Sequence, residues 1–402
     1  MRSGVRSKAT ATLLLGFSLV LGYVPLLQAQ QGTIKIGVIT SLTGSQAAFG
    51  EAHKNGYSIA LDEINANGGV LGKKLELDWY DDQSKPDQAV QGVSKLVDQD
   101  HVAMLLGAYS SENTKAIVGP VNTHQIPLLI PTATADNVMD SKSPWVFRIC
   151  AGAKAYAKVW IDFLKKNGTP KTMVIVYEKT NFGQANMQAM KEEATAAGIN
   201  VLATEEYESK APDYKAVLRR VKDKNPDVIY FCSYLLDATT LMRQSMEVDL
   251  NPKYYTAAGT GFSAAEFPTA KGAGRNAEFT LSVSQWLPEA KWPGSKEFDA
   301  EYFKRYNSHP QYHAMQAYQS LQTAAIAINN AKSTDAAKIR DAIKNLNLKT
   351  SAFGPVKFDA TGQNQHPVLI TQVQGGQYHV VFPADAAEAK PIIPAPRWSQ
   401  RK

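Results

Sequence analysis

The sequence predicts an α/β protein of two lobes, each built around a parallel β-sheet. Apolar strand-like segments alternate with helical segments from residue 34 onward, and this alternation is typical of parallel sheets with right-handed crossovers. The alternation restarts near residue 150, which indicates a second lobe of similar architecture. In the last third, three helical segments follow one another and must cover a sheet already formed. The chain is therefore expected to return to a lobe that it left.

The first lobe is predicted from short apolar strands that end in polar or glycine-containing loops. The strands are expected at 34–39, 75–80, 103–106 and 126–130, and the helices at about 50–67, from 85 and from 110 to 124. Asn67-Gly68-Gly69 is expected to end the first helix, because glycine readily adopts the left-handed conformation that closes helices.

The second lobe repeats this order, and the last third departs from it. Strands are expected at 173–177, 200–207, 227–232 and 254–258, and helices at 154–166, 181–197, from 212 and at about 235–248. A strand at 279–285 precedes helices at 295–306, 312–331 and 334–345 and a hairpin, 368–374 with 378–382, turned by Gly375-Gly376. Residues 384–402, rich in proline and alanine, are expected to form a loosely ordered tail.

Residues 1–29 have the layout of a secretory signal peptide. Arg2, Arg6 and Lys8 precede an uncharged apolar run, and Ala29 marks the expected cleavage site. The run is about long enough to span a bilayer, so a retained membrane anchor is the alternative. With cleavage, the mature chain is exported.

Charge and cysteine content argue against several functional classes. The sequence has 43 basic and 37 acidic residues, and removal of residues 1–29 takes away three basic residues, which leaves a net charge of +3. Such a charge without a dense basic block does not suit a nucleic-acid binder. Cys150 and Cys232 lie in or beside apolar segments, so we expect buried free thiols, although an exported chain could form a disulfide.

Residues 103–114 contain the first candidate binding group. An apolar strand passes through Gly107 into Ser110-Ser111-Glu112-Asn113-Thr114, the start of a helix. Ser111 can cap this helix. Alternatively, its hydroxyl and the free N–H groups of the helix start can hold a carboxylate, because the helix dipole places partial positive charge there. The local sequence leaves both interpretations open.

Five stretches in a fixed order carry a family resemblance. They are 34–38 (Ile-Lys-Ile-Gly-Val), 64–72 (Ile-Asn-Ala-Asn-Gly-Gly-Val-Leu-Gly), 80–82 (Tyr-Asp-Asp), 86–90 (Pro-Asp-Gln-Ala-Val) and 353–359 (Phe-Gly-Pro-Val-Lys-Phe-Asp). With this set, residues 32–382 resemble the type I periplasmic solute-binding proteins of the leucine/isoleucine/valine-binding family.

The resemblance implies two Rossmann-like lobes joined by three hinge crossovers, near 148–152, 283–287 and 353–356. Lobe 1 would contain residues 30–148 and 286–353, and lobe 2 would contain residues 149–285 and 354–383. Hinge bending would close the lobes over a small-molecule ligand. The resemblance further implies a periplasmic protein that delivers its ligand to an inner-membrane ABC permease, and we expect a monomer.

The resemblance also implies a ligand site between the lobes. In the family, a serine after the third strand and a threonine after the fourth hold the ligand carboxylate, and these match Ser111 and Thr134. Aromatic residues across the cleft match Phe182 and Tyr234. The full set of expected ligand-binding residues is Tyr109, Ser110, Ser111, Thr132, Ala133, Thr134, Phe182, Tyr234 and Gly259.

The sequence departs from the family pattern in two places. Ser84 and Ser110 stand where the family has a disulfide near the cleft. Amino-acid binders of the family carry an acid after the strand at 254–258, but here Gly259-Thr260-Gly261-Phe262 follows it. Either Asp237 or Glu266 pairs with a ligand ammonium, or the ligand is an acid or amide without an α-ammonium.

Other motifs are assigned no chemistry. Gly259-Thr260-Gly261 begins a dinucleotide-like fingerprint, but Pro268 shortens its helix. Pro310 separates His309 from the helix of His313, and Asp81-Asp82 lacks a catalytic partner. We therefore predict no catalytic residue, no metal site and no cofactor. The chain is expected to bind a hydrophobic amino acid or an organic acid for transport, and a ligand-sensing receptor module is the alternative.

Overall fold

The computed structural model of the protein describes residues 32–401 together with residues 1, 3 and 4. The predicted signal peptide therefore lies outside the described residues, apart from those three. No helix in the described part of the chain is long and apolar enough to cross a membrane.

Lobe 1 contains a five-stranded sheet in the order β2-β1-β3-β4-β5, and all its strands are parallel. The strands are β1 (Ile34–Thr40), β2 (Leu75–Asp81), β3 (Leu105–Gly107), β4 (Leu128–Ile130) and β5 (Val146–Arg148). The helices between them are α1 (Ala47–Ala66), α2 (Pro86–Ser94) and α3 (Ser111–His124). Parallel strands bring their carboxyl ends to one edge, and the loops at that edge form one side of the cleft.

Lobe 2 contains a seven-stranded sheet in the order β14-β13-β10-β9-β8-β6-β7. Five strands are parallel: β6 (Thr172–Glu178), β7 (Asn200–Tyr207), β8 (Val228–Cys232), β9 (Tyr254–Ala257) and β10 (Leu281–Ser284). Its helices are α4 (Ala153–Lys166), α5 (Asn181–Ala196), α6 (Lys215–Asp223) and α7 (Leu235–Glu247). The predicted α/β class with two parallel-sheet lobes is confirmed.

The last third of the chain returns to each lobe in turn, as expected. Helices α8 (Ser295–Tyr306), α9 (Tyr312–Ala331) and α10 (Ala336–Lys344) share one apolar core with the first sheet. A short pair, β11 (Asn347–Leu348) with β12 (Val356–Lys357), follows them. The hairpin of β13 (Leu369–Gln374) and β14 (Gln377–Phe382) then adds two antiparallel strands to the sheet of lobe 2.

The third crossing lies further along the chain than the sequence indicated. Residues 354–364, expected in lobe 2, remain beside β5 of lobe 1: Arg148 N–H donates to Gly362 O at 2.8 Å, and Asn364 N–H donates to Arg148 O at 2.9 Å. The backbone groups of β5, an edge strand, need partners, and this segment supplies them. The chain passes to lobe 2 only between Asn364 and β13.

The three crossings are hydrogen-bonded to one another and form one hinge. The Gln285 amide oxygen accepts from Ala151 N–H at 2.7 Å, which joins the second crossing to the first. The His366 ring nitrogen Nε2 lies 2.7 Å from Gln285 O, which joins the second to the third. The Asn364 amide donates to Ile149 O at 2.9 Å. Any rotation of the lobes must therefore bend all three crossings together.

The tail beyond Pro383 is not loosely placed, contrary to expectation. Glu388 N–H donates to Val380 O at 2.8 Å, and Ile392 N–H donates to the Gln372 side chain at 2.8 Å. The Trp398 indole donates to Leu250 O at 2.6 Å and lies against Tyr255. Composition predicted disorder because proline and alanine bury little area, but these hydrogen bonds and Trp398 attach the tail to lobe 2.

Other differences from the expected elements are small. Helix α1 begins at Ala47 rather than Gly50, α6 begins at Lys215 rather than Pro212, and β10 is shorter than the predicted strand at 279–285. Cys150 and Cys232 are buried free thiols, as expected.

Candidate functional site

The expected carboxylate-binding loops of lobe 1 lie side by side at the carboxyl ends of β3 and β4. All six of their predicted residues are buried: Tyr109, Ser110, Ser111, Thr132, Ala133 and Thr134. Two hydrogen bonds join the loops. The Thr132 hydroxyl donates to Tyr109 O at 2.9 Å, and Ala135 N–H donates to the Ser111 hydroxyl oxygen at 3.1 Å.

Ser110, and not Ser111, caps helix α3. The Ser110 hydroxyl oxygen accepts from Asn113 N–H at 3.1 Å, and its extended backbone is that of an N-cap residue. Ser111 is the first helical residue, so its hydroxyl is not needed for capping. Since that oxygen accepts from Ala135, the O–H remains available as a donor. The structure therefore contradicts the capping role of Ser111, whose hydroxyl oxygen instead joins the two loops.

The loop after β4 connects the two lobes. The Thr134 hydroxyl lies 3.4 Å from the Asn186 amide nitrogen on α5 of lobe 2. Asn137 and Asn181 exchange two side-chain hydrogen bonds, at 2.7 and 3.0 Å, across the same boundary. The cleft is thus closed in this structure.

Aromatic side chains from both lobes fill the cleft beside these hydroxyls. Phe182, at the start of α5, and Tyr234, which precedes α7, have ring centroids 5.2 Å apart. The ring centroid of Tyr234 lies 6.2 Å from that of Tyr109 of lobe 1. The Tyr109 ring stacks on the Phe49 ring, with centroids 4.7 Å apart. The structure brings the predicted aromatic residues of lobe 2 against the predicted serine loop of lobe 1.

Gly259 lies where the backbone of lobe 2 approaches lobe 1 closely. Its φ of 78° favours glycine, and a Cβ at this position would lie 3.0 Å from Val283 O and 3.2 Å from the Tyr312 hydroxyl. The next residue, Thr260, donates its N–H to that Tyr312 hydroxyl at 3.0 Å. Residues 260–263 form a short 3₁₀ turn, so the dinucleotide-like motif does not open an α-helix.

Neither Asp237 nor Glu266 is suitably placed to pair with a ligand ammonium. Asp237 is buried, and its oxygens accept from the Ser209 hydroxyl at 2.7 Å, the Tyr214 hydroxyl at 2.8 Å and Lys210 N–H at 3.0 Å. Glu266 is exposed at the rim of the cleft. Asp237 is therefore engaged in holding a loop of lobe 2, and Glu266 remains in solvent.

Glu178 is a carboxyl group that the sequence analysis did not single out. It ends β6, is fully buried, and accepts from Tyr234 N–H at 3.0 Å and from the Thr180 hydroxyl at 2.9 Å. Burial raises the pKa of Glu178 to about 8. The group is thus largely protonated at neutral pH. The sequence did contain a signal for Glu178, since it is an acid at the carboxyl end of a predicted strand. The cleft forms at the edge of the sheet where these strand ends lie.

The sequence also gave no indication that three further residues belong to this site: Phe49, His53 and His313. The His313 ring lies 5.1 Å from Phe49 and 5.5 Å from Tyr109, and the His53 ring lies 5.4 Å from Tyr109. Burial lowers the pKa of His53 to about 3 and that of His313 well below its usual value, so both are neutral. His309 is exposed and pairs with Asp299, away from His313. The helices of the missed residues lie far from β3 in sequence, so only the fold brings them to this site.

Cavities lie between the two lobes. One of about 630 Å³ is lined by Phe49 and Tyr302 of lobe 1 and by Leu235 and Glu266 of lobe 2. A smaller one of about 220 Å³ is lined by Glu112 of lobe 1 and Tyr234 of lobe 2, among others. Within the described residues, no group of three or more His, Cys, Asp or Glu side chains is arranged to hold a metal ion.

Comparison with known proteins places this architecture in a described family. The sequence model of a family described as periplasmic binding protein matches residues 33–377. The Leu/Ile/Val-binding protein homolog 7 of Brucella suis is 27% identical over 378 residues, which cover 90% of this chain and 94% of the relative.

Solved structures show the same fold at lower identity. The branched-chain amino acid transporter substrate binding protein LivJ of Streptococcus pneumoniae, in complex with isoleucine, has a TM-score of 0.80 at 24% identity and covers 88% of this chain and 100% of its own. The solute binding protein of an ABC transporter from Rhodopseudomonas palustris, in complex with 3,4-dihydroxybenzoic acid, has a TM-score of 0.77 at 22% identity. It covers 86% of this chain and 95% of its own.

Proposed function

This chain belongs to the periplasmic binding protein family, and we propose that it is the exported substrate-binding component of an ABC transporter. In this role it captures a small carboxylic acid between its lobes, acts as a monomer, releases the ligand unchanged and delivers it to an inner-membrane permease. The observation that carries the proposal is the pair of hydroxyl-bearing loops, Tyr109–Ser111 and Thr132–Thr134, facing aromatic side chains of the other lobe.

The lobe 1 loops suit the carboxylate end of the ligand. The Ser111 O–H is free of the capping role, and the first N–H groups of α3 have no intrahelical acceptors. Hydroxyl and N–H donors of this kind hold an anion without a buried cation, and the dipole of α3 adds partial positive charge. Ser111 and Thr134 are therefore proposed as the carboxylate ligands.

The other end of the cleft favours an acid without an α-ammonium group. Of three carboxyl groups there, Asp237 accepts three hydrogen bonds that hold a loop of lobe 2, Glu266 is in solvent, and burial raises the pKa of Glu178 to about 8. A buried ammonium without a counter-charge costs several kcal/mol. An apolar, aromatic surface stands there instead, and we therefore propose an aromatic or branched aliphatic monocarboxylate as the ligand. The rings that form this surface are those of Phe49, Tyr109, Phe182 and Tyr234.

A hydrophobic amino acid is the second candidate. The relatives named above include a Leu/Ile/Val-binding protein homolog and a structure with isoleucine, whereas another holds 3,4-dihydroxybenzoic acid. Both kinds of ligand carry a carboxylate and differ in the ammonium group. The ammonium is thus the feature that an experiment must vary.

Two matched ligand pairs test this proposal. Leucine and 4-methylpentanoate differ only in the α-ammonium, as do phenylalanine and 3-phenylpropanoate. We expect the ammonium-free acid of each pair to raise the midpoint of thermal unfolding more and to bind at least tenfold more tightly by calorimetry. Tighter binding of leucine would contradict the ligand class and leave the carboxylate site in place. No binding by any of the four would contradict the proposed function.

Chemical analysis of the bound ligand tests the transport role. Mass spectrometry of wild-type protein incubated with the tightest-binding acid should recover that acid unchanged. Conversion of the acid during incubation would show an enzyme instead.

A further inference from the structure

Arg148 lies at the point where the chain leaves lobe 1 for the first time. It is the last residue of β5 and is only 2% exposed. A guanidinium is expensive to bury unless its N–H groups find acceptors. The acceptors that it finds show which parts of the molecule it holds together.

Three of these acceptors belong to the loop after β4, which carries Thr134. The Arg148 Nη1 group donates to Ala133 O at 3.1 Å and to Ala135 O at 2.9 Å. The Nη2 group donates to the Asp136 carboxylate at 3.1 Å. One side chain therefore fixes the backbone on both sides of Thr134.

The same guanidinium contacts the hinge. Its Nε–H donates to the Gln363 side-chain oxygen at 2.5 Å, and the Gln363 amide in turn donates to Cys150 O at 2.8 Å. Gln363 precedes the third crossing and Cys150 lies in the first. Arg148 thus connects the Thr134 loop to two of the three crossings.

The start of α4 completes the network from lobe 2. Ala153 N–H donates to Thr134 O at 2.8 Å, and Lys154 N–H donates to the second Asp136 oxygen at 2.8 Å. The carbonyl groups of residues 133–135 are all engaged on the hinge side, while the Thr134 hydroxyl lies toward Asn186 in the cleft.

Gly152 provides the room that this network requires. A Cβ at Gly152 would lie 2.1 Å from the Asp136 oxygen Oδ1 and 2.4 Å from the Arg148 nitrogen Nη2. Any side chain at this position would separate the ion pair. The close approach of three chain segments is therefore built into the first crossing.

We propose that Arg148 is a positioning residue that holds the Thr134 loop in its ligand-binding conformation and couples that loop to the hinge through Asp136 and Gln363. This inference rests on the proposed function, in which Thr134 binds the ligand carboxylate. Arg148 itself acts through the loop and does not touch the ligand.

The first test needs no ligand. In Arg148→Met, hydrogen exchange at the N–H groups of Ala135 and Ala153 should accelerate at least tenfold relative to wild type. Residues 133–135, which carry the Ala135 donor and the Thr134 acceptor of these two hydrogen bonds, are then no longer held. Arg220→Met, at an exposed arginine of α6, is the control and should leave both rates unchanged. Unchanged exchange in Arg148→Met would overturn the proposal. If this variant does not fold, Gly152→Ala, which separates the same ion pair, provides the same test.

The second test is a double-mutant cycle with 3-phenylpropanoate and leucine as probes. In the wild-type background, Arg148→Met should weaken binding at least tenfold, mainly through faster dissociation of the ligand. In a Thr134→Val background, the same change should weaken binding less than threefold. An equal fold loss of affinity in the two backgrounds would show that Arg148 does not act through Thr134. If the wild type binds none of the four ligands named above, the proposed function fails, and the exchange experiment alone decides the role of Arg148.

Discussion

Two adjacent serines at the start of α3 have different partners and so different expected roles. Ser111→Ala removes the O–H that we assign to the ligand carboxylate, and an unpaired carboxylate oxygen should cost about 1–3 kcal/mol of binding free energy. Calorimetry with the tightest-binding acid should therefore show a dissociation constant raised by about 5- to 150-fold.

Ser110→Ala is the matched comparison for this prediction. It removes the cap of α3 and should act mainly on folding, with a loss of about 1 kcal/mol in the free energy of unfolding. Unchanged affinity in Ser111→Ala would show that the carboxylate is bound elsewhere.

Glu178 makes the stability of the protein depend on pH. Its pKa is about 8 in the folded protein and near 4.5 without burial, so unfolding releases a proton between these values. The free energy of unfolding should then fall as pH rises from 5 to 8, by up to about 1.4 kcal/mol per pH unit. Glu178→Gln, which resembles the protonated carboxyl, should remove this fall and be the more stable protein at pH 8.

Urea denaturation of ligand-free protein at pH 5, 6.5 and 8 measures this effect. Glu76→Gln, at an exposed carboxylate on β2, should retain the wild-type pH dependence. If the free energy of unfolding falls with pH in Glu178→Gln as it does in the wild type, Glu178 is not the titrating group.

At the scale of elements, the contact between α1 and α9 depends on one glycine. A Cβ at Gly56 would lie 2.0 Å from Ala314 O, so Gly56→Ala forces the helices apart. We expect a loss of about 1–3 kcal/mol in the free energy of unfolding, as for other overpacked sites. Chemical denaturation measures it.

Gly119→Ala is the control for the helix contact. Gly119 lies inside α3, and a Cβ there meets no atom within 4 Å. Alanine has the higher helix propensity, but its Cβ would stand beside the ring of Pro120, so this change should alter the free energy of unfolding by less than about 1 kcal/mol. A clear loss in Gly56→Ala with a small change in Gly119→Ala would support the packing argument, whereas a neutral Gly56→Ala would contradict it.

At the scale of the whole molecule, Tyr312 joins the lobes in the closed arrangement. Its hydroxyl, on α9 of lobe 1, accepts from Thr260 N–H of lobe 2. Tyr312→Phe leaves that buried N–H without an acceptor and should favour opening. Small-angle scattering should then show a larger radius of gyration at the ligand concentration that closes the wild type, with affinity reduced about 5- to 30-fold.

Tyr318→Phe is the control for closure. The Tyr318 hydroxyl, also on α9, donates to the Glu63 carboxylate within lobe 1 at 2.6 Å, so its removal does not change a hydrogen bond between the lobes. If both variants close like the wild type, the Tyr312 hydrogen bond does not contribute to closure.

The sequence determined the order of elements, because the periods of apolar residues in strands and helices are local properties of the chain. It also placed Ser111 and Thr134 after adjacent strands, since parallel strands end at one edge of a sheet. The ends of some helices and strands differ from the predicted ones where a residue distant in sequence supplies a hydrogen-bond partner. Tyr214 N–H, for example, donates to the Gln244 side chain just before α6 begins.

Only the tertiary structure decided the features that depend on contacts between distant segments. The burial of Glu178, the third crossing after Asn364 and the attachment of the tail by Trp398 all involve such contacts. Arg148 is the clearest case, since its acceptors come from residues 133–136 and from Gln363. A hydrogen bond or a pKa depends on what lies nearby in space, and the order of residues alone does not specify that.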